Sequence, residues 1–333
     1  MESLKNTGEK TVVVFGDFCL DKYVYSYPER DELSVETGLY ARQFHRKKTA
    51  AGAAGTVTNN LRALGVNVLC VGAIGNDGEG WELLRELQSI GADTEYLTRF
   101  DEICTPTYMK PMRKQEDGSY EEDARLDFRN FTPISEELEK TVLENLSKAL
   151  ARADACIVVD QFFQRNTGVI TDGVRDGLAR AAKAFAGPVL VDSRAFIYEF
   201  KETMIKCNNI ELIKYFGGGE GDPEDIEVVK KCGEELFSRG GKPVFVTRGA
   251  DGMLVFDENG VTSVDAFKVS GPLDICGAGD ASSAGIITGR SLGLTSAEAA
   301  RLACCISSIT IQQIGTTGTA SVPAVINRLT TGV

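Results

Sequence analysis

Residues 274–285 read D-I-C-G-A-G-D-A-S-S-A-G, and their types and spacing suit the transfer of a phosphoryl group. They follow a strand-like run and lead into a pattern of small residues typical of a helix. Gly277 and Gly279 allow the backbone to turn sharply, so that successive N–H groups at a helix N-terminus point at an anion such as phosphate. Asp280 is then placed to take the proton of a hydroxyl that attacks this anion. The alternative is that Asp280 is only a favourable partner of the helix dipole.

Two carboxylates follow the first predicted strand, in the segment G-D-F-C-L-D. Asp17 and Asp21 suit a polyol, because a carboxylate accepts hydrogen bonds from two adjacent hydroxyls. Capping of a turn would explain either residue in isolation. Residues 50–61 then begin a helix as A-A-G-A-A-G, without a large side chain. Either a ligand or a packed strand must approach this backbone closely.

Two further segments carry groups that suit a nucleotide and its metal. Asn208 and Glu211 lie three residues apart, share a helical face and offer the oxygen ligands of a water-rich magnesium site. The segment T-R-G-A-D-G, residues 247–252, follows a strand, and the hydroxyl of Thr247 and the N–H of Gly249 are suited to hold phosphate oxygens. Surface polarity explains the first segment nearly as well, and a simple hairpin explains the second.

The elements that must position these residues alternate between strand and helix. Near-continuous apolar strands with helices between them predict a mostly parallel sheet covered by helices on both faces. Such sheets bind ligands at the carboxyl ends of their strands, where Asp17, Asp160, Asp192 and Arg248 fall. The predicted strands are 11–16, 67–73, 155–160, 188–192 and 243–247, and the predicted helices are 52–64, 77–90, 135–150, 167–185 and 223–239.

Two stretches interrupt this rhythm, at about 22–49 and 105–128. Their alternating patterns lack helical period and predict inserted antiparallel strands, including 107–113 and 120–128. We expect these strands to form a small lid over the site within a single domain that spans residues 1–333. Because a small exposed sheet tends to be covered, a homodimer joined through the lid is also predicted.

Composition excludes several classes of function. The chain carries 36 basic and 48 acidic side chains for a net charge of −12, which argues against nucleic acid or an anionic membrane as a main partner. The start of the chain lacks the apolar core of a signal peptide, and no apolar run reaches membrane-spanning length. Nine cysteines without a C-x-x-C pair predict reduced thiols in a cytoplasmic protein. The presence of a single histidine argues against a Ser–His–Asp relay.

These motifs, in this order, resemble the ribokinase (PfkB) family of carbohydrate kinases over nearly the whole chain. The segment D-I-C-G-A-G-D resembles the family's C-terminal signature D-[TV]-[TS]-G-A-G-D. Within the family, G-D-F-C-L-D and R-L-D-F are most similar to the kinase half of the bacterial heptose-phosphate kinase/ADP-heptose synthase. The pieces that carry the resemblance start at residues 16, 51, 125, 208, 247 and 274.

The resemblance implies a ribokinase-like fold and a role for each matching residue. It makes Asp280 the catalytic base and the N–H groups of Gly277, Ala278 and Gly279 the anion hole. The sugar would be bound by Asp17, Asp21, Gly52 and Arg125. Asn208, Thr247, Gly249 and Gly252 would contact the nucleotide. Glu211 with Asn208 would hold Mg²⁺ through water, and Asp274 would help to hold a monovalent cation such as K⁺.

The chain departs from the family pattern at four positions. Gly55 stands where the family's G-G-A-A-N has an Asn expected to bind substrate hydroxyls. Cys276 stands where Thr or Ser is usual, and Cys207 replaces a common Pro. Cys304 occupies what resembles an Asn position near the nucleotide base.

The sequence therefore predicts an ATP-dependent kinase that uses Mg²⁺ and phosphorylates a hydroxyl of a sugar or sugar phosphate. Two alternatives stay open at this stage. One is a regulator of the same fold that binds a sugar or nucleotide without turnover, and the other is a nucleoside kinase.

Overall fold

The computed structural model describes residues 2–216, 219, 221–315 and 317–332 of the 333-residue chain. Its strands are β1 (Thr11–Gly16), β2 (Phe18–Ser26), β3 (Glu32–Leu33), β4 (Tyr40–Ala41), β5 (Phe44–Ala53), β6 (Asn67–Gly75), β7 (Asp93–Phe100), β8 (Thr107–Lys114), β9 (Tyr120–Glu122), β10 (Leu126–Phe128), β11 (Ala155–Asp160), β12 (Val189–Ser193), β13 (Met204–Asn208), β14 (Val244–Thr247), β15 (Met253–Asp257) and β16 (Gly260–Val264).

The helices lie mainly between the strands of the larger sheet. They are α1 (Ala54–Ala63), α2 (Gly78–Ser89), α3 (Glu136–Leu150), α4 (Asp172–Ala184), α5 (Asn209–Glu211), α6 (Ile226–Gly240), α7 (Ala278–Ser291), α8 (Ser296–Thr310) and α9 (Val322–Thr331). Short 3₁₀ turns cover Glu2–Glu9, Pro28–Arg30, Ile197–Glu199 and Gly249–Asp251, and a π-helical turn covers Leu212–Phe216. Within the described residues, none of these helices combines the length and the apolarity that crossing a membrane requires.

A nine-stranded sheet forms the centre of the fold, in the order β16-β15-β14-β13-β12-β11-β1-β6-β7. The strands from β14 to β7 pair in parallel, and β15 and β16 extend the sheet in antiparallel fashion. This arrangement confirms the predicted mostly parallel sheet. Its parallel strands end at one edge, where Asn208 ends β13 and where Gln161 and Arg194 directly follow β11 and β12.

Helices cover both faces of this sheet because the side chains of each strand alternate between them. Val12 and Val14 of β1 belong to one apolar cluster, which also contains side chains of α1, α7 and α8. Val13 and Phe15 belong to the other cluster, with side chains of α3, α4 and α6. The continuous apolar pattern of the strands thus reflects burial on two sides.

A second sheet of five strands projects over the edge of the first, in the order β10-β8-β2-β5 with β9 beside β8. It is mostly antiparallel, but β2 and β8 pair in parallel. The predicted hairpin is present, but the predicted strand 120–128 is divided into β9 and β10, which both pair with β8. The pairing of β2 with β8 joins segments that are far apart in the chain, such as Leu20 and Thr107, and has no local signal. Lys22 anchors this sheet to α2, because its ammonium lies 3.0 Å from both Glu79 and Glu82.

Candidate active site

A cleft of about 310 Å³ lies between the carboxyl edge of the large sheet and the second sheet. It brings together four of the predicted site residues, Asp21, Arg125, Gly277 and Asp280. The residues that line it are Asp21, Ala53, Thr56, Tyr108, Lys110, Arg125, Asp127, Arg129, Gln161, Phe162, Phe163, Arg194, Cys276, Gly277, Asp280 and Thr317.

The N-terminus of α7 faces this cleft. Gly277 precedes the helix with φ +80°, a left-handed conformation that favours glycine, and no side chain caps the helix. Ala278 donates its N–H to the carbonyl of Ile275, at 3.1 Å. Among the described residues, the N–H groups of Gly279 and Asp280 have no acceptor. The turn therefore offers two unpaired donors and the positive end of the helix dipole to an anion.

The pKa of the Asp280 carboxyl lies near neutral pH. Burial, and secondarily the charge of Asp192, raise its pKa to about 7, while Lys206 and Arg194 act in the opposite direction. A base with a pKa close to the working pH exists in part as the carboxylate and still binds a proton well. This is the property required of the predicted catalytic residue.

Lys206 and Asp192 form a buried ion pair behind the anion-binding turn, and the motifs gave no role to either residue at this point. The Lys206 ammonium lies 2.8 Å from Oδ2 of Asp192, and Ser283 of α7 donates to the same oxygen at 2.6 Å. A Cβ on Gly279 would lie 3.2 Å from the Lys206 ammonium, so the charge sits directly against the turn. The sequence signal that could have predicted this ion pair is the lysine inside the apolar run M-I-K-C-N, because a buried lysine requires an acidic partner.

Asp21 reaches the cleft from β2 and is already paired. Its Oδ1 lies 3.0 Å from the ammonium of Lys110 on β8. A Cβ on Gly52 would come within 2.7 Å of its Oδ2, so Gly52 makes the space that Asp21 occupies. The absence of a side chain at position 52 thus serves the placement of this carboxylate.

The structure does not bring Asp17 to the cleft. The residue is only 2% exposed, and its two carboxylate oxygens accept the N–H groups of Gln161 and Val169 at 2.8 and 2.7 Å. Burial raises the pKa of Asp17 to about 6, against the lowering effect of these hydrogen bonds. Asp17 fastens the loops after β11 beneath the cleft, which is close to the turn-capping alternative.

Position 55 also faces away from the cleft, contrary to the expectation that an Asn is missing there. A Cβ on Gly55 would meet the Cβ of Ala51 at 2.5 Å and a methyl of Leu87 at 3.8 Å. The residue of this turn that lines the cleft is Thr56. Ala53 has φ +51°, the conformation that the second glycine of G-G-A-A-N would favour. The family pattern therefore corresponds to residues 52–56, with Thr56 in place of the Asn.

Arg125 lies on the rim of the second sheet. Its guanidinium donates to both carboxylate oxygens of Asp127, at 2.7 and 2.8 Å, and stacks over the ring of Tyr108 at 5.0 Å. The predicted substrate arginine thus lines the cleft, but it already has an acidic partner.

Asn208 and Glu211 lie where β13 enters α5 and form a reciprocal cap. Oδ1 of Asn208 accepts the Glu211 N–H at 2.7 Å, and Oε2 of Glu211 accepts the Asn208 N–H at 2.9 Å. Burial, and then the neighbouring charge of Asp192, raise the pKa of Glu211. A half-buried carboxylate held next to a second acid is a group that a cation would stabilise, so these residues fit water-mediated magnesium. Among the described residues, no three His, Cys, Asp or Glu side chains form a direct metal-binding group.

The remaining predicted residues lie at the end of β14 and in turns around this edge. Thr247 ends β14 and donates its hydroxyl to the Cys207 carbonyl at 3.4 Å. Gly249 and Gly252 have φ +55° and +84° and form the turn between β14 and β15. Asp274 accepts the N–H groups of Cys276 and Gly315, at 3.0 and 2.9 Å, and so ties the anion-binding turn to the loop after α8.

The fold and the site define the class of protein. Across 96% of this chain and 98% of the other, the structure is similar to Arabidopsis thaliana ribokinase complexed with ribose and ATP, with a TM-score of 0.71 and 19% identity. It is also similar to ribokinase from Giardia lamblia, with a TM-score of 0.69, 16% identity and coverage of 96% and 98%. The fold is therefore ribokinase-like, with a small, mostly antiparallel second sheet.

The sequence comparisons give the family. The model of the pfkB family of carbohydrate kinases matches residues 9–323, and the chain belongs to that family. It is 28% identical over 313 residues to the bifunctional protein HldE of Trichlorobacter lovleyi, covering 91% of this chain and 60% of the relative. It is 29% identical over 318 residues to that of Wolinella succinogenes, covering 94% and 63%. The chain thus spans about three fifths of the length of these curated relatives, and the predicted likeness to the heptose kinase group is confirmed.

Proposed function

We propose that the protein transfers the terminal phosphoryl group of ATP to a hydroxyl of a sugar or sugar phosphate. The observation that carries this proposal is the position of Asp280, whose pKa is raised to about 7, at the open N-terminus of α7 in the cleft. Membership of a carbohydrate kinase family and the likeness to a ribokinase bound to ribose and ATP support the same reaction.

In the proposed reaction the acceptor hydroxyl lies beside Asp280. Its oxygen forms a bond to the terminal phosphorus, and its proton passes to the Asp280 carboxylate. The bond between that phosphorus and the bridging oxygen of ADP breaks, and ADP leaves with the electron pair. The N–H groups of Gly279 and Asp280 stabilise the charge that develops on the phosphoryl oxygens. Asp280 then returns its proton to solvent.

Magnesium, when bound with the nucleotide, neutralises charge on the phosphates. Asn208 and Glu211 would hold it through water, and the turn of Thr247, Gly249 and Gly252 would contact the nucleotide phosphates. The role of Asp274 in holding K⁺ stays a prediction. Both of its carboxylate oxygens accept backbone N–H groups, so a bound K⁺ would share these oxygens with the backbone.

The test is ADP release with ATP, magnesium and a panel of sugars, sugar phosphates and nucleosides. Asp280→Asn is expected to lower kcat by at least about a hundredfold, the size of a lost general base. Asp176→Asn, at an exposed acid of α4, is the matched control and should retain activity. Wild-type turnover by Asp280→Asn would refute the assignment. Binding without ADP release for every member of the panel would favour a regulator, and a preference for nucleosides would favour a nucleoside kinase.

We also propose a homodimer through the second sheet in a cytoplasmic protein. Phe44, Leu126 and Phe128 are 44%, 55% and 50% exposed on the strands of this sheet, and covering such side chains in a dimer is favourable. Sedimentation at several concentrations tests the dimer, and a monomer throughout would remove it.

The cytoplasmic location is supported by the nine cysteines, which are all unpaired and so fit a reducing compartment.

A further inference from the structure

The loop between β11 and α4 supplies a wall of the cleft to which the proposed reaction gives no role. Gln161, Phe162 and Phe163 all line the cleft. The side chain of Phe162 is 8% exposed, whereas that of its neighbour Phe163 is 56% exposed. Among the described residues, the Phe163 ring belongs to neither of the two apolar clusters. A large ring that stays open at the wall of a cleft buries its apolar surface only when a ligand covers it.

The carboxylate of Asp17 ties the two ends of this loop together. Its Oδ2 accepts the N–H of Gln161 at 2.8 Å, and its Oδ1 accepts the N–H of Val169 at 2.7 Å. Hydrogen bonds to a carboxylate are stronger than those between neutral groups. A Cβ on Gly168 would lie 2.7 Å from the same Oδ1, so the loop requires glycine where it passes this carboxylate. One buried side chain therefore closes the loop that carries Phe163.

The residues that follow Phe163 are tied to the elements around the loop. Asn166 has a left-handed conformation, with φ +66°, and its Oδ1 accepts the N–H of Asp172 at 2.9 Å. Arg165 forms ion pairs with both Asp172 and Glu199. These contacts hold the loop on the far side of Phe163, while Asp17 holds its ends. The ring is thus presented to the cleft before a ligand binds, which lowers the entropic cost of using it.

The other groups of the cleft suit the edge of a sugar ring. Asp21, Tyr108, Gln161 and Asp280 line the cleft and offer hydrogen-bonding atoms to hydroxyl groups. Hydroxyl groups lie around the edge of a sugar ring, whereas its faces carry C–H groups. A cleft that combines these polar side chains with one open aromatic ring therefore matches both parts of such a ligand.

We propose that the Phe163 ring stacks on the C–H face of the acceptor's sugar ring, and that Asp17 positions Phe163 by closing the loop. This inference rests on the proposed function and deepens it, because the contact selects closed sugar rings over open-chain polyols. Phe163 is a specificity-determining residue. Asp17 is a positioning residue, which acts on the acceptor only through the loop.

The first test compares matched ring and open-chain acceptors, namely glucose with sorbitol, ribose with ribitol, and glucose 6-phosphate with sorbitol 6-phosphate. For the ring acceptor that is phosphorylated best, Phe163→Ala should lower kcat/KM about tenfold, the size of partial burial of a large apolar side chain. The KM for ATP should not change. Phe163→Tyr should keep most of the activity because the flat ring remains, and Phe163→Leu should keep less. Trp81→Ala, at a ring of α2 that is 60% exposed and does not line the cleft, is the matched control.

The second test asks whether Asp17 acts through Phe163. Asp17→Asn leaves one oxygen for two N–H groups and sets an amide donor against the other, so the loop should loosen and the KM for the acceptor should rise. In a double-mutant cycle, the combined loss of kcat/KM should be smaller than the product of the two single losses. A combined loss equal to that product would overturn the role of Asp17. If Asp17→Asn does not fold, Gly168→Ala takes its place in the cycle, because its Cβ would press on the same carboxylate.

Other outcomes would overturn the stacking contact. These are losses in Phe163→Ala that are equal for ring and open-chain acceptors, a loss that falls on the KM for ATP, or a loss confined to nucleoside acceptors. When no acceptor is phosphorylated, the result counts against the proposed function alone. Binding of the same ring sugars without nucleotide, measured by calorimetry, should then still weaken in Phe163→Ala. Binding that is the same in both proteins, or absent from both, would overturn the inference.

Discussion

Ala51 and Gly55 occupy one shared space at the start of α1. A Cβ on Gly55 would lie 2.5 Å from the Cβ of Ala51, a distance that two side chains do not adopt without a shift of the backbone. The methyl group of Ala51 thus requires glycine at position 55. This pair, and not the loss of a substrate contact, explains the glycine that departs from the family pattern.

Gly55→Ala is therefore expected to destabilise the fold. Overpacking costs about 1 to 3 kcal/mol, whereas alanine gains at most about 1 kcal/mol of helix propensity over glycine. We expect a net loss of about 1 kcal/mol in the free energy of unfolding from these two effects. Ala51→Gly in the same chain should restore stability, as measured by urea unfolding of both proteins. Equal stability of the single and double variants would contradict the proposed contact.

Part of this site could be predicted from sequence because its signals are local. The glycines around Ala278 and the acid at position 280 are read from six residues, and the structure places them at a helix N-terminus. Lys206 and Arg194 are different, since their meaning arises only when parallel strands bring distant loops to one edge. The error at position 55 has a similar cause. The motif gives the residue types, but it does not give the direction in which each side chain points. In this segment the direction is set by the boundary between β5, which continues to Ala53, and α1, which begins at Ala54.

The activity should have an acidic limb that reports Asp280. Because burial and Asp192 raise the pKa of this carboxyl to about 7, kcat is expected to fall as the pH drops below about 7, where the base becomes protonated. Arg194 acts to lower this pKa, so Arg194→Gln should move the limb to higher pH. The measurement is kcat against pH with saturating ATP. If kcat falls at the same pH in Arg194→Gln as in the wild-type protein, this arginine lies too far from Asp280 to change its pKa.

Lys206→Met should destabilise the protein more at alkaline than at acidic pH. The change leaves Asp192, with Glu211 nearby, without the buried ammonium 2.8 Å away. Removing one partner of a buried pair typically costs about 3 to 5 kcal/mol. At lower pH Glu211, whose pKa burial already raises, takes up a proton, which relieves part of the penalty. Urea unfolding at two pH values measures the difference, and a second change, Asp192→Asn, should recover part of the loss. A loss of equal size at both pH values would indicate a packing defect.

Thr56 offers the sharpest test of how the N-terminus of α1 meets the acceptor, because a matched threonine lies two residues further along. Thr56 lines the cleft with 3% of its surface exposed, and its hydroxyl makes only a long contact of 3.4 Å to the Ala51 carbonyl. Thr58 is fully buried, does not line the cleft, and donates its hydroxyl to the carbonyl of Ala54 at 2.8 Å. Thr56→Val should lower kcat/KM for the acceptor by about fivefold to tenfold, the size of one neutral hydrogen bond, with little effect on the KM for ATP. Thr58→Val should change the free energy of unfolding and leave these kinetic constants unaltered. If both variants behave alike, the acceptor does not touch Thr56, and the correspondence of residues 52–56 with the family's G-G-A-A-N is wrong.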